Sequence, residues 1–201
     1  AGDNSNLIVN KQKYNGTTCA VAISENIILN ANNKLDRGKL SIVGLGPGTS
    51  SWRSIEATRL LEQATDIVGF DVYIKLLDYD KSKNYHSFEI GQEEERAMKS
   101  IELASNDKNV ALVCSGDPGI YAMASIVFEM IEFGPDQWKN IEIITAPGIS
   151  AVQAAAARVG APIGNDFCTI SLSDLMTTQQ VILNRVKAAA EADFIIALYN
   201  P

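Results

Sequence analysis

The stretch that decides the fold is Lys39-Leu40-Ser41-Ile42-Val43-Gly44-Leu45-Gly46-Pro47-Gly48. It is a short apolar run that ends abruptly in glycines. Ala57, Leu60, Leu61 and Ala64 follow at i, i+3, i+4 and i+7, which is one face of a helix. Ser54 stands where the N-cap of that helix should be. Strand, glycine turn and amphipathic helix are the opening of an α/β unit, and the pattern repeats downstream. Residues 66–70 read as a second strand and 84–88 as a short one. Residues 92–105 read as a helix with Ala97, Met98, Ile101 and Ala104 on one side. Glu93, Glu94 and Glu95 open it, where carboxylates favour the helix dipole. Residues 110–114 form an apolar strand, Met123, Ile126, Val127, Met130 and Ile131 a helix stripe, residues 141–145 a strand, and residues 150–159 an Ala-rich helix. Apolar strands alternating with helices predict a parallel sheet covered on both faces, an α/β fold with αβα layers.

Residues 160–164 read as a connection, and a new unit begins after them: strand 167–172, helix 177–190, strand 194–199. One such unit does not complete a domain. The expectation is therefore an N-terminal domain over 39–163 and the start of a second α/β domain over 164–201, C-terminally truncated. Residues 1–38 differ, with a polar cluster at Asn30-Ala31-Asn32-Asn33, one strand-like run at Cys19-Ala20-Val21-Ala22-Ile23 and a linker at 35–38.

Of the 201 residues 46% are hydrophobic and 20% charged, an ordinary globular balance. A net charge of −7 argues against nucleic acid, which needs clustered Lys and Arg, and against an anionic membrane surface. No apolar run approaches the ~20 residues of a bilayer span, and residues 1–6 show no signal-peptide pattern. Cys19, Cys114 and Cys168 are scattered, which favours reduced thiols and a cytoplasmic protein. With His86 as the single histidine, neither a metal site nor a His-based triad is expected. His86 reads as a surface or packing residue, Glu93 to Glu95 as a solvated helix start, and Trp52 and Trp138 have no clear partner.

Ligands of open α/β sheets collect at the carboxyl ends of strands. Four such ends carry glycine or proline here. Gly44-Leu45-Gly46-Pro47-Gly48 falls short of the dinucleotide fingerprint: Thr49 takes the place of the third glycine, and Pro47 removes a backbone donor. Asp71, after the second strand, is the one acid placed to mimic a ribose-binding residue. In Ser115-Gly116-Asp117-Pro118-Gly119-Ile120-Tyr121 the glycines let backbone approach a ligand. Asp117 there either accepts from a ligand or closes a turn onto its own backbone. In Ala146-Pro147-Gly148-Ile149-Ser150-Ala151, Ser150 opens a helix and is a preferred cap. Leu198-Tyr199-Asn200-Pro201 ends the last strand.

The order and spacing of these loops resemble the tetrapyrrole (corrin/porphyrin) methylase family, from about residue 39 onward. A narrower resemblance, to the precorrin-3B C17-methyltransferase type, rests on Val68-Gly69-Phe70, Glu94-Glu95-Arg96-Ala97, Ser115-Gly116-Asp117, Gly160-Ala161-Pro162, Ile170-Ser171-Leu172-Ser173-Asp174 and Leu198-Tyr199-Asn200-Pro201. The chain departs from that type at Pro118, at Met176-Thr177-Thr178-Gln179 and at Ser54. Leu7-Ile8-Val9-Asn10-Lys11-Gln12-Lys13 and Thr18-Cys19-Ala20-Val21-Ala22 resemble the tail of a cobalt-precorrin-5A hydrolase C-terminal domain.

The resemblance implies S-adenosylmethionine held in a cleft between two α/β domains, with methyl transfer to C17 of precorrin-3B or its cobalt counterpart and ring contraction. Carried over residue by residue, it implies Pro47, Ser115, Gly116, Asp117, Ile120, Ser150, Ala151 and Asn200 at the cofactor. It also implies Gly46 and Gly48 at the tetrapyrrole. The partners expected are that tetrapyrrole substrate and a second copy of the chain in a homodimer, with neither nucleic acid nor membrane. A catalytic base is not named by any of these motifs. A nucleotide-dependent oxidoreductase and a non-catalytic fragment are the competing readings.

Overall fold

A computed structural model describes residues 38–201 and the strands β1 (Ile8–Tyr14) and β2 (Thr17–Ile23). The chain divides into two compact units, Ala1–Leu35 and Asp36–Pro201. In the first, β1 and β2 pair antiparallel from Ile8 opposite Ile23 to Tyr14 opposite Thr17. The sequence pattern gives β2 but not β1, whose centre, Asn10-Lys11-Gln12-Lys13, has no apolar alternation to betray it. The polar cluster at 30–33 and most of the expected linker lie outside the described residues.

The second unit is built on five parallel strands: β3 (Lys39–Gly44), β4 (Asp66–Phe70), β5 (Asn84–Phe88), β6 (Asn109–Cys114) and β7 (Glu142–Ala146), in the order β5-β4-β6-β3-β7. Four helices connect them: α1 (Ile55–Gln63), the single turn α2 (Asp71–Ile74), α3 (Glu93–Ser105) and α4 (Met123–Phe133). The helix α5 (Ala151–Ala156) follows β7. Side chains alternate across the sheet. Leu40, Ile42, Val110 and Leu112 meet α3 and α4 on one face, while Val43, Ala111 and Val113 meet α1 on the other. Both faces are therefore covered at the sheet's centre, which is why β3 and β6 read as apolar runs. Ser54 caps α1 by accepting the Ala57 N–H at 3.0 Å, as its position predicts.

The Ala-rich helix expected over 150–159 is shorter than its composition suggests. After Ala156 the backbone tightens: the Arg158 N–H reaches Ala155 O and the Ala161 N–H returns to Ala156 O. Gly160, at φ +92°, supplies the left-handed exit. Arg158 then lies over the Trp52 ring, 5.3 Å from its centroid, a partner the sequence does not reveal. Trp138 packs against the core beside α4. Beyond the turn at 162–164, β8 (Phe167–Ser171) and β9 (Ile195–Tyr199) pair parallel, joined by α6 (Gln179–Glu191). Among the described residues, no helix is long and apolar enough to cross a membrane.

His86 is a structural residue. From β5 its Nε2 lies 2.9 Å from Asp66 Oδ1, and Asp66 is buried at the start of β4. Burial pushes the Asp66 carboxyl up, but hydrogen bonds from His86 and Thr65 outweigh it and hold the group below its ordinary 3.8. A depressed folded-state value stabilises above the unfolded value and is lost as pH falls through the folded one. Asp66→Asn should therefore cost about 1–3 kcal/mol at neutral pH. In urea unfolding, its deficit should shrink as pH falls below 3.8. A deficit constant down to pH 2 would exclude the ionised carboxylate as its source.

Candidate functional site

The helices leave the sheet in opposite directions at its centre. The helix after β3 packs on one face and the helix after β6 on the other, and the two strands are neighbours. A crevice opens at the carboxyl ends of such a pair. Here it is lined with glycine. The Leu45 N–H donates to Cys114 O at 2.8 Å. Gly46 and Gly116 then exchange both backbone bonds, at 3.2 and 2.8 Å, as an isolated antiparallel bridge. Both have left-handed φ, +76° and +60°. The loop after β7 closes on the same point. A Cβ on Gly148 would sit 2.0 Å from Gly116 O, and one on Gly44 would sit 2.7 Å from both Gly116 O and Gly148 N. Three loops are thus pressed backbone to backbone.

Asp117 ties them together. Its Oδ1 accepts the Gly119 N–H at 2.8 Å, closing a turn, and its Oδ2 accepts the Gly148 N–H at 3.1 Å from the neighbouring loop. Ser150 is buried and engaged in a capping box: its N–H donates to Gln153 Oε1 at 2.9 Å and its Oγ accepts the Gln153 N–H at 3.4 Å. Tyr121 holds the far wall. It sits at φ +50°, an uncommon conformation for a bulky residue, and its hydroxyl donates to Thr169 O at 2.9 Å. Its ring lies against Tyr199, 5.3 Å between centroids, and the Tyr199 hydroxyl accepts the Val152 N–H at 3.0 Å. Asn200, at φ +53°, donates to Ser171 Oγ at 3.1 Å.

These pieces enclose a cavity of about 670 Å³. Pro47, Ser115, Gly116, Asp117, Ile120, Ser150, Ala151 and Asn200 all line it. Gly46 and Gly48 do not: Gly46 is buried against Trp52, and Pro47 faces the cavity from this loop. Asp71 is outside the wall as well and pairs with Lys75. Sequence reading missed a second part of the wall, formed by Phe70, Tyr73, Ile90, Glu93, Arg96 and Met176. Glu93, which the sequence marks as part of a solvated helix start, binds Arg96 at 3.1 Å. One signal was available, since Arg96 falls one turn before Ser100 and beside Ala97 on the buried stripe of α3. Cys114 also borders the cavity, but burial pushes its thiol up to about 11, so it carries no thiolate at neutral pH. Among the described residues, no three His, Cys, Asp or Glu side chains come together as a metal cage.

The family model of the tetrapyrrole (corrin/porphyrin) methylases matches residues 39–201. This chain belongs to that family. The methylase unit is 40% identical over 164 residues to a precorrin-3B C(17)-methyltransferase of Sinorhizobium sp, covering 82% of this chain and 65% of that protein. It is 43% identical over 163 residues to a probable cobalt-factor III C(17)-methyltransferase of Salmonella typhimurium, covering 81% and 66%. The chain thus spans just under two thirds of the length of these curated relatives. A crystal structure of the methyltransferase CobJ superposes with a TM-score of 0.79 at 41% identity, covering 82% of this chain and 68% of that one. The parallel-sheet α/β fold is the one these methylases share.

Proposed function

We propose that this methylase chain binds S-adenosylmethionine in the cavity above β3, β6 and β7 and serves C17 methylation of precorrin-3B or its cobalt counterpart, with ring contraction. The observation that carries the reading is convergence. Eight residues drawn from four loops, separated by up to 153 positions between Pro47 and Asn200, line one cavity. The wall suits such a ligand. Its size falls within the roughly 300–1,000 Å³ of small-molecule sites. Its glycines let backbone approach closely, and its polar groups are few.

Bound, S-adenosylmethionine supplies a methyl group already activated on a sulfonium. What the protein adds is placement. The Gly46–Gly116 bridge fixes the loop that carries Ser115 to Ile120, Asp117 fixes Gly148, and the capping box fixes Ser150 and Ala151. Alignment of this kind is able to supply about 7–11 kcal/mol of a displacement barrier. The tyrosine pair joins that loop to β8 and β9, so Asn200 closes the cavity from the other side.

Calorimetric titration tests the reading. S-adenosylhomocysteine should bind and NADH should not, since Asp71 lies outside the wall. Ala151→Leu, at an exposed position on the wall, should weaken binding at least about tenfold with little change in unfolding temperature. Binding of NADH in place of S-adenosylhomocysteine would transfer the site to the oxidoreductase reading.

A further inference from the structure

The second part of the cavity wall holds a cation with unspent hydrogen bonds. Arg96 is 5% exposed, yet it lines the cavity. Among the described residues it is the one Lys, Arg or His in that lining. A guanidinium presents five N–H donors in a planar fork. The protein engages them sparsely. Nη1 reaches Glu89 O at a long 3.4 Å, and Nη2 meets Glu93 Oε1 at 3.1 Å and the weak acceptor Met123 Sδ at 3.5 Å. Nε is shut off from solvent and has no partner. A purely structural arginine pinning the start of α3 would account for the Glu89 and Glu93 contacts. It would leave Nη1 with a single long bond, and a buried charged group left short of acceptors is costly.

The surroundings favour an acceptor of a particular kind. Phe70, Tyr73, Ile90 and Met123 make this end of the cavity apolar, which strengthens any charge pairing inside it. Glu93 is a partial counter-ion at best: it binds through a single oxygen, and its side chain is 42% exposed. Nη1 makes one long bond of the two its N–H groups allow, and a carboxylate is the acceptor that suits a cation there. We infer that Arg96 is the anchor for a carboxylate of a bound ligand. This rests on the proposed function, which brings two carboxylate sources to the cavity: the acidic side chains of the tetrapyrrole and the amino-acid end of the cofactor.

The test uses the full chain with two probe pairs. Uroporphyrin, an octacarboxylate, is compared with its octamethyl ester by absorbance titration. S-adenosylhomocysteine is compared with methylthioadenosine, which lacks the carboxylate, by calorimetry. Arg96→Gln should weaken one of the two acids about tenfold or more, the loss expected for a hydrogen-bonded charge pair, and leave the matching neutral probe unchanged. Arg96→Lys, which keeps the charge but not the fork, should recover part of that loss. The affected pair names the source, uroporphyrin for the acceptor and S-adenosylhomocysteine for the cofactor. Equal losses for acid and neutral probe, or no loss for either acid, overturn the inference. Should Arg96→Gln not fold, Arg96→Lys carries the comparison, and equal binding of acid and neutral probe in both pairs by the unaltered chain also overturns it. Failure of the unaltered chain to bind S-adenosylhomocysteine would refute the proposed function, and the uroporphyrin pair would then judge Arg96 alone.

Discussion

Gly148→Ala should be the most damaging single methyl added at the cavity wall. The new Cβ would lie 2.0 Å from Gly116 O and 3.0 Å from the Gly116 and Gly44 carbonyl carbons, all of them backbone atoms that no rotamer change moves away. Overpacking costs about 1–3 kcal/mol by itself. Shifting Gly148 also draws its N–H from the Asp117 carboxylate, a hydrogen bond to a charged group of about 1.5–3 kcal/mol. A combined loss of about 3 kcal/mol or more corresponds to a fall in unfolding temperature of roughly 6–12 °C for a chain of this size. S-adenosylhomocysteine affinity should fall with it, since Gly116 and Ser150 flank the displaced residue on the cavity wall. Gly44→Ala presses on the same Gly116 O at 2.7 Å. The double variant should therefore lose less than the sum of the singles, because a loop already pushed aside accommodates the second methyl. An unfolding temperature within about 2 °C of the parent for Gly148→Ala would show that the contact yields freely.

That crowding explains why part of the site was legible in the sequence and part was not. The central strands β3 and β6 were legible because they are buried on both faces, so Leu40, Ile42, Val43 and Val110 to Cys114 are apolar whichever way they point, with Ser41 the polar exception. Helix starts were legible where a local side chain does the capping, as Ser54 and Ser150 do. The Ala-rich stretch misled at its far end because propensity says nothing of the Gly160 exit, and the turn at α2 is too short for periodicity to register. At the site, glycine at 44, 46, 116 and 148 marked the loops. Which glycine is obligatory depends on a neighbour up to 104 residues away, as for Gly44 and Gly148, and no single stretch records that. Arg96 was hidden for the same reason: its burial comes from Met123 and the cavity, while its sequence neighbours Glu93 to Glu95 suggest a solvated helix start.

Asp117 is where sequence left two meanings open, ligand acceptor or turn former, and the structure gives the carboxylate to the backbone. One oxygen holds Gly119 within its own loop and the other holds Gly148 across to the next. Asp117→Asn keeps the shape but offers one oxygen and one NH2 group. Whichever way the amide turns, one backbone N–H then faces another donor. Leaving such a group unsatisfied costs about 1–3 kcal/mol, or roughly 3–10 °C in unfolding temperature here. Because Gly148 leads directly into Ser150 and Ala151, S-adenosylhomocysteine binding should weaken too, but as a consequence of a loosened loop. The two roles separate by temperature. If Asp117 acts by stitching loops, the unfolding temperature drops, and much of the lost affinity returns when titrations are run well below it. If it binds the ligand directly, affinity falls by a similar factor at every temperature while the unfolding temperature stays put. The second outcome would reassign the carboxylate from the fold to the ligand, despite the two amides that fill it.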